Sequence, residues 1–364
     1  MTGSSPIENT YVIVEYELTN TLLKEMGSFN NQSLVPKINT TPFFMEVFSK
    51  YLLEDWKPLF IKVINGADDK VIGVFPLMYH INKRKGVLPY RVIKFFGSTF
   101  SDFHDIYAAQ ENRKLVIHAA FDWLFKNFRW QEMILDDFLD ESNIKGTITE
   151  YLTYRNVNFS NNQGEYFYIN LNRSWDEIES DTSKSFVWKN VRLAKNRITK
   201  AGSWEIEYNP NLSEDEILER LMPIHINRQA FLSRESTFKE QRYVSAYKEI
   251  IGNALKEDQF NTFWLMFEGR CIGYMIGFYI EGVFYWWSTA FLEEFKEFYP
   301  SRLLQFFVLK YMHQEQYKEF NFMRGESGYK NKWTKMTRVN HRFRIYNNKN
   351  MYGKLIGLFD KKFR

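Results

Sequence analysis

FNFMRGESGYKNKW, residues 320–333, is the stretch on which the fold turns. Its apolar run, Phe320, Phe322 and Met323, alternates like a strand and stops at Arg324-Gly325-Glu326. Tyr329, Lys330 and Trp333 follow directly. Alternation with a period of two, broken by a Gly-bearing polar turn, is how an α/β protein presents side chains at the edge of a sheet. Guanidinium, carboxylate, phenol, ammonium and indole meet here within one turn. Composition alone equally allows an ordinary strand end with a solvated loop.

The chain around this stretch has 364 residues, enough for two domains of roughly 150–200 residues with a core each. It is 45% hydrophobic and 25% charged, a globular balance rather than a disordered one. Aromatic residues make up 18%, with 34 Phe and 22 Tyr, so its cores and clefts are expected to be ring-lined. Against 44 acidic groups stand 48 basic ones, a net charge of +4 that does not by itself argue for nucleic-acid binding. The one cysteine, Cys271, lies in an apolar run, has no partner for an internal disulfide and reads as a buried small hydrophobe.

The opening residues, MTGSSPIENTY, hold no basic segment followed by an apolar core. No secretory signal is therefore expected, and the expected compartment is a reducing cytoplasm, with peripheral membrane contact left open. Residues 271–292, CIGYMIGFYIEGVFYWWSTAFL, are long enough to cross a bilayer, yet Glu281-Gly282 stands at their centre. Two largely buried strands around a Gly turn fit this pattern better, so a hairpin and no transmembrane segment are expected.

In the first half, residues 11–19 alternate as a strand, and Thr41-Pro42 opens a helix with Thr as cap and Pro in the first turn. Strands are expected over 58–64, 71–80 and 92–96, then the loop GSTFSDFHDIY over 97–107. Asp102, His104 and Asp105 are metal-competent, but no further ligand set stands at a recognised spacing, and no metal is expected. Carboxylates that cap a helix or bind a hydroxylated acceptor suit the loop as well. A helix over 113–126, a strand over 133–135 and a helix over 144–154 complete a mixed sheet flanked by helices.

In the second half Ser174, followed by Glu177, makes a capping box. The basic stretch 184–200, read as a helix, gathers Lys189, Arg192, Asn196 and Lys200 on one face. That face is either solvated or turned to phosphates and anionic polymers. The helix over 213–233 should kink at Pro223, with His225 and Arg228 one turn apart just after it. A helix over 244–255, a strand over 263–267, the hairpin, a helix over 302–313 and the strand leading to residue 320 follow. The tail, MYGKLIGLFDKKF, reads as a docked terminal helix. The two halves share an order of elements without any visible residue repeat, which suggests two related α/β units at 1–168 and 169–364.

That order resembles the Gcn5-related N-acetyltransferase (GNAT) fold, and the motifs resemble one branch, the acetyltransferases related to a cellulose-biosynthesis protein. SWDEIESDTSKSFVWKNVRLAKNRITKAG is similar to that family's Trp-Asp-Glu opening and basic helix ending in Gly, and His225 with Arg228 to its His-x-x-Arg helix. FNFMRGESGYKNKW resembles its Phe-Asp-Phe-x-Arg-Gly-(Asp/Glu)-x-x-Tyr-Lys-x-x-Trp signature. TPFFMEVFSKYL and FGSTFSDFHDIY resemble its Thr-Pro-Phe helix and Gly-Ser-x-x-Ser-Asp-Tyr-x-Asp loop. Two departures stand out. Asn321 replaces an Asp, and Tyr299-Pro300-Ser301-Arg302 stands where Ser-Pro-Gly precedes a helix.

The resemblance implies an α/β, mixed-sheet chain with two tandem GNAT-like units, as in Fem-type transferases, the first unit degenerate and the second holding an acyl-CoA donor, acetyl-CoA the expected one. It implies direct attack on the thioester by an amine or hydroxyl of a small-molecule or glycan acceptor. Glu326, Tyr329 and His225 are the implied proton-transfer residues. Tyr285, Ser288, Ser301 and Arg302 are the implied donor contacts, with a backbone amide of residues 283–288 facing the oxyanion. Arg228, Arg324, Lys330 and Trp333 are the implied acceptor contacts. The alternatives are a Fem-type enzyme that uses aminoacyl-tRNA, gripped by the basic helix, and a non-catalytic subunit of a polysaccharide assembly.

Overall fold

The computed structural model describes residues 9–30, 41–83, 88–182, 187–325 and 327–362. The chain divides into two units, one of Met1–Gly164 with Val339–Arg364 and one of Glu165–Arg338.

In the first unit, strand β1 (Thr10–Glu15) and helix α1 (Asn20–Asn30) precede α2 (Pro42–Val47). Thr41 is extended and Pro42 occupies the first turn, where a missing amide costs no helical hydrogen bond. An antiparallel meander follows, β2 (Lys57–Asn65), β3 (Lys70–Asn82) and β4 (Tyr90–Phe95). The short β5 (Tyr107–Ala108) pairs with β3; then come α3 (Arg113–Asn127), β6 (Glu132–Leu139) and α4 (Ile144–Tyr154). β6 lies parallel to β4, an arrangement that needs the crossover α3 supplies.

The chain passes into the second unit along β7 (Asn158–Asn170), and then forms α5 (Trp175–Asp181), α6 (Lys189–Ala201), β8 (Trp204–Tyr208), α7 (Glu214–Phe231) and α8 (Gln241–Lys256). A second antiparallel meander, β9 (Phe260–Phe267), β10 (Arg270–Ile280) and β11 (Val283–Phe291), leads through α9 (Pro300–Gln314) to β12 (Glu319–Asn321) and the short α10 (Ser327–Lys330). β12 is parallel to β11, so the second unit repeats the meander, crossover helix and parallel strand of the first. β13 (Thr337–Tyr346) then returns the chain to the first unit, pairing antiparallel with β6, and α11 (Met351–Lys362) follows.

Each unit has its own core. Leu59, Phe75, Phe95, Phe121 and Trp130 centre the first; Phe263, Met275, Phe284, Leu304 and Phe320 centre the second. Full burial of side chains this size is worth about 1.5–3 kcal/mol each, which is why nearly continuous apolar strands such as β2 and β9 sit inside.

The apolar stretch 271–292 is the β10–β11 hairpin. Glu281 (φ 53°) and Gly282 (φ 92°) both take positive φ, as a two-residue turn between twisted strands requires. Among the described residues no helix is long and apolar enough to cross a membrane. Burial raises the Cys271 thiol to about 11, in keeping with an inert side chain.

Several details differ from the sequence reading. Residues 339–364 pack with the first unit rather than the second. The basic helix is described from Lys189 onward, and residues 183–186 lie outside the described residues. α7 spans Glu214–Phe231 with Pro223 inside it, and its capping box of Ser213 and Glu216 satisfies the first turn, as for the expected helix over 213–233. In the 97–107 loop, read as capping a helix or binding an acceptor, Asp102, His104 and Asp105 are all buried. Asp105 accepts from the amide of Ile106 and forms an ion pair with the buried Arg113 of α3. Among the described residues, no group of three His, Cys, Asp or Glu is placed to hold a metal ion.

Candidate functional site

The decisive geometry lies between β11 and β12. These parallel strands pair at Val283–Glu319, Phe284–Phe320 and Tyr285–Asn321, and then part. β11 runs on to Phe291, while β12 ends at Asn321 and the chain turns away through Met323 (φ 55°) and Gly325 (φ 126°) into α10. From Trp286 onward, that edge of β11 has no strand partner among the described residues.

A bulge on the other edge sharpens the opening. The β10–β11 register steps from Ile276–Ser288 to Gly277–Trp286 and leaves Trp287 as the extra residue. A bulge re-aims side chains and increases local twist. Gly277 permits it, because a Cβ there would stand 2.3 Å from the Tyr285 carbonyl oxygen and 2.5 Å from the Phe284 ring. Trp287 then stacks on Tyr247 of α8 at 4.4 Å, and Ser288 Oγ lies 3.1 Å from the Tyr274 hydroxyl. Trp286 instead joins the core cluster shared with α6 and α9. Its ring meets Phe320, Phe322 and Tyr329 at 5.8, 5.7 and 6.2 Å.

The residues implied by the sequence separate into groups. Tyr329 is 36% exposed beside Trp286, at the mouth of the opening. Arg324 is exposed on the same turn. Glu326 lies outside the described residues. Lys330 is buried, its ammonium donating to the carbonyls of Phe322 (3.0 Å) and Met323 (2.8 Å), so it braces the turn. Trp333 is buried in the core of the second unit. Tyr285 is likewise buried, and burial raises its phenol well above its ordinary value.

His225 stands elsewhere. Its Nδ1 lies 2.8 Å from Ser236 Oγ and its ring 4.9 Å from Phe238. Burial holds the imidazole below its ordinary pKa, favouring the neutral form. Phe238 packs on Tyr247, so the ring series from His225 reaches Trp287, whereas Tyr329 meets Trp286. Arg228 pairs with Glu293 and covers the Phe291 ring at 4.5 Å, while Asn227 accepts from the Glu293 amide at 3.0 Å. Arg228 therefore fixes the segment that leaves β11.

That segment ends at Tyr299, which has the left-handed conformation (φ 52°, ψ 54°) at the cap of α9, with Pro300 in the first turn. The ring of Tyr299 lies 4.5 Å from the Arg302 guanidinium and 5.3 Å from that of Arg197. Ser301 is half-buried in the first helical turn, where amides have no intrahelical acceptor and favour negative charge.

Sequence reasoning missed the support for Asn321. Its amide donates to Glu319 at 3.0 Å and its carbonyl accepts from the Met323 amide at 2.9 Å. Glu319 in turn receives two hydrogen bonds from Arg338, at 2.8 and 2.7 Å. An aspartate cannot donate to Glu319, so the departure from the resembled motif has a local reason. Only the Gly inside an apolar run, Gly277, signalled the bulge in the sequence.

The first unit has the same parting without the same opening. β4 and β6 pair from Val92–Glu132 to Lys94–Ile134. Beyond that, the amide of His104 donates to the Asp137 carbonyl at 3.0 Å, and its ring stacks on Phe95 at 5.5 Å. The chain's own loop occupies the place.

Residues 185–331 match the family model described as an acetyltransferase (GNAT) domain. No curated protein matches the sequence. Among solved structures, the crystal structure of FemX is 14% identical and superposes with a TM-score of 0.58, covering 95% of this chain and 100% of its own. L-PGS from Bacillus licheniformis is 13% identical, with a TM-score of 0.51 over 92% of this chain and 95% of its own. A tandem GNAT protein from the clavulanic acid biosynthesis pathway is 10% identical, with a TM-score of 0.51 over 92% and 98%. The fold is thus a mixed α/β, tandem GNAT-like one, and residues 185–331 of the second unit match an acetyltransferase (GNAT) domain, which supports an acyltransferase.

Proposed function

We propose that the second unit transfers an acyl group, acetyl in the expected case, from acyl-CoA to an amine or hydroxyl of a sugar, polysaccharide or envelope precursor. The observation that carries this reading is the parting of β11 from β12 after Tyr285 and Asn321. An extended thioester arm lies along such an unpaired edge as a strand would, satisfying backbone groups that otherwise need water. The motifs at 174–202 and 320–333 support the cellulose-biosynthesis-related branch.

In this account the acceptor attacks the thioester carbonyl, forming a new C–N or C–O bond while the C–S bond breaks. A β11 amide at 286–288 donates to the developing oxyanion, a fixed dipole placed where charge appears. Tyr329 delivers a proton to the departing thiolate, and Glu326 takes the proton from the acceptor. His225, neutral at a lower pH than usual, is the second base candidate. Arg324 orients the acceptor. The amide of Ser301, in the first turn of α9, faces the pyrophosphate, and the guanidinium of Arg302, whose own amide is held by the Tyr299 carbonyl at 2.9 Å, adds positive charge. With the first unit's opening filled by its own loop, one donor binds per chain.

The test is a thermal shift with acetyl-CoA at millimolar concentration, followed by acyl transfer to a panel of amino sugars. A shift set by mass action supports the reading, and its absence at millimolar ligand removes the CoA donor.

One observation favours a second reading, a Fem-type enzyme whose donor is aminoacyl-tRNA. α6 exposes Lys189, Arg192, Lys195, Arg197 and Lys200 and contains no acidic residue. Tight tRNA binding that weakens steeply with salt would favour it over acyl-CoA.

A further inference from the structure

An open depression of about 470 Å³ lies between the end of α6 and the turn before α9, lined chiefly by Arg197, Lys200, Glu297 and Phe298. Arg197 is held there by a hydrogen bond to the Glu297 carbonyl at 3.2 Å and by the Tyr299 ring. Neither Arg197 nor Lys200 forms an ion pair with a carboxylate among the described residues, so both cations are available at the depression. Arg302, whose guanidinium lies 4.5 Å from the Tyr299 ring, adds a third cation beside the amino end of α9.

We propose that this depression is a phosphomonoester site that holds the ribose 3′-phosphate of the CoA donor, with Arg197 and Lys200 as its counter-charges. The proposal rests on the acyl-CoA reading and extends it to the nucleotide end. A phosphomonoester carries close to two negative charges at neutral pH, and charge-assisted bonds from guanidinium and ammonium are the strong kind. The depression is far larger than a phosphate alone and leaves room for the ribose. The Glu297 carboxylate at the rim opposes the anion, which leaves the two lining cations in excess by one charge.

The test compares CoA with dephospho-CoA, which lacks only the 3′-phosphate, by titration calorimetry on the full chain. The expected result is that CoA binds about tenfold or more tightly than dephospho-CoA. Lys200→Gln, an exposed position, should remove most of that difference while leaving dephospho-CoA affinity unchanged. Glu297→Gln should widen it. Equal affinities in the unaltered chain, or an undiminished difference in Lys200→Gln, would overturn the site while leaving the donor reading intact. If neither ligand binds, the donor reading itself falls and this proposal with it.

Discussion

Tyr285 and Asn321 are the last residues at which β11 and β12 share a register; one residue later Trp286 packs against Phe322 and Tyr329 instead. Three paired residues hold the strands together, and everything the site needs follows from their separation. The unpaired edge of β11, the turn bearing Arg324 and the phenol of Tyr329 all lie beyond that last pair.

Tyr329→Phe keeps the ring on Trp286 and removes only the hydroxyl. We expect kcat to fall by roughly tenfold or more, with KM for acyl-CoA and thermal stability little changed. A variant with unaltered kcat would reduce Tyr329 to a packing residue.

Asn321→Asp restores the residue of the resembled motif but sets a second carboxylate against Glu319, now 3.0 Å from the Asn321 amide. The new carboxyl is buried beside a like charge, so its folded pKa must rise above the unfolded value. Its protonated form is then compatible with folding and its ionised form is not. The variant should be destabilised by about 1–3 kcal/mol at neutral pH and approach the unaltered chain as pH falls below its raised pKa. Denaturant melts at pH 5 and pH 8 check the sign.

Gly277→Ala places a Cβ against the Tyr285 carbonyl and the Phe284 ring. The contact involves backbone, so relief requires the bulge to shift; the expected loss is about 1–3 kcal/mol of stability. Transfer activity measured well below the melting temperature should fall further than stability alone explains. Activity unchanged under those conditions would separate the bulge from catalysis.

His225 gives a pH signature in either role. Because burial lowers its folded pKa, the unfolded chain binds more protons, and stability falls as pH drops from about 6.5 towards the folded value. His225→Gln should flatten this acid-side decline. If His225 is also the base, the acidic limb of the kcat/KM profile moves with the same substitution; a limb that stays in place assigns the base elsewhere.

Much of the fold was legible because its signals are local. The hairpin at Glu281-Gly282 and the capping box at Ser174 depend on residue identities a few positions apart. The placement of candidate side chains was less so. Lys330 and Trp333 sit in a motif that reads as reactive, yet one is consumed by the carbonyls of Phe322 and Met323 and the other by the core. Arg228 likewise pairs with Glu293, 65 residues away, a partner no spacing rule reveals. The buried setting of Asp102, His104 and Asp105 came from Arg113 and from the approach of β6, both tertiary facts.

The most direct test follows amide hydrogen exchange with and without saturating acetyl-CoA. If the thioester arm lies along β11, peptides covering residues 286–291 should exchange more slowly with ligand, together with those at the start of α9. Peptides over β4 and the 97–107 loop of the first unit should not change. Slowing confined to the first unit, or binding that leaves residues 286–291 unprotected, would contradict the account.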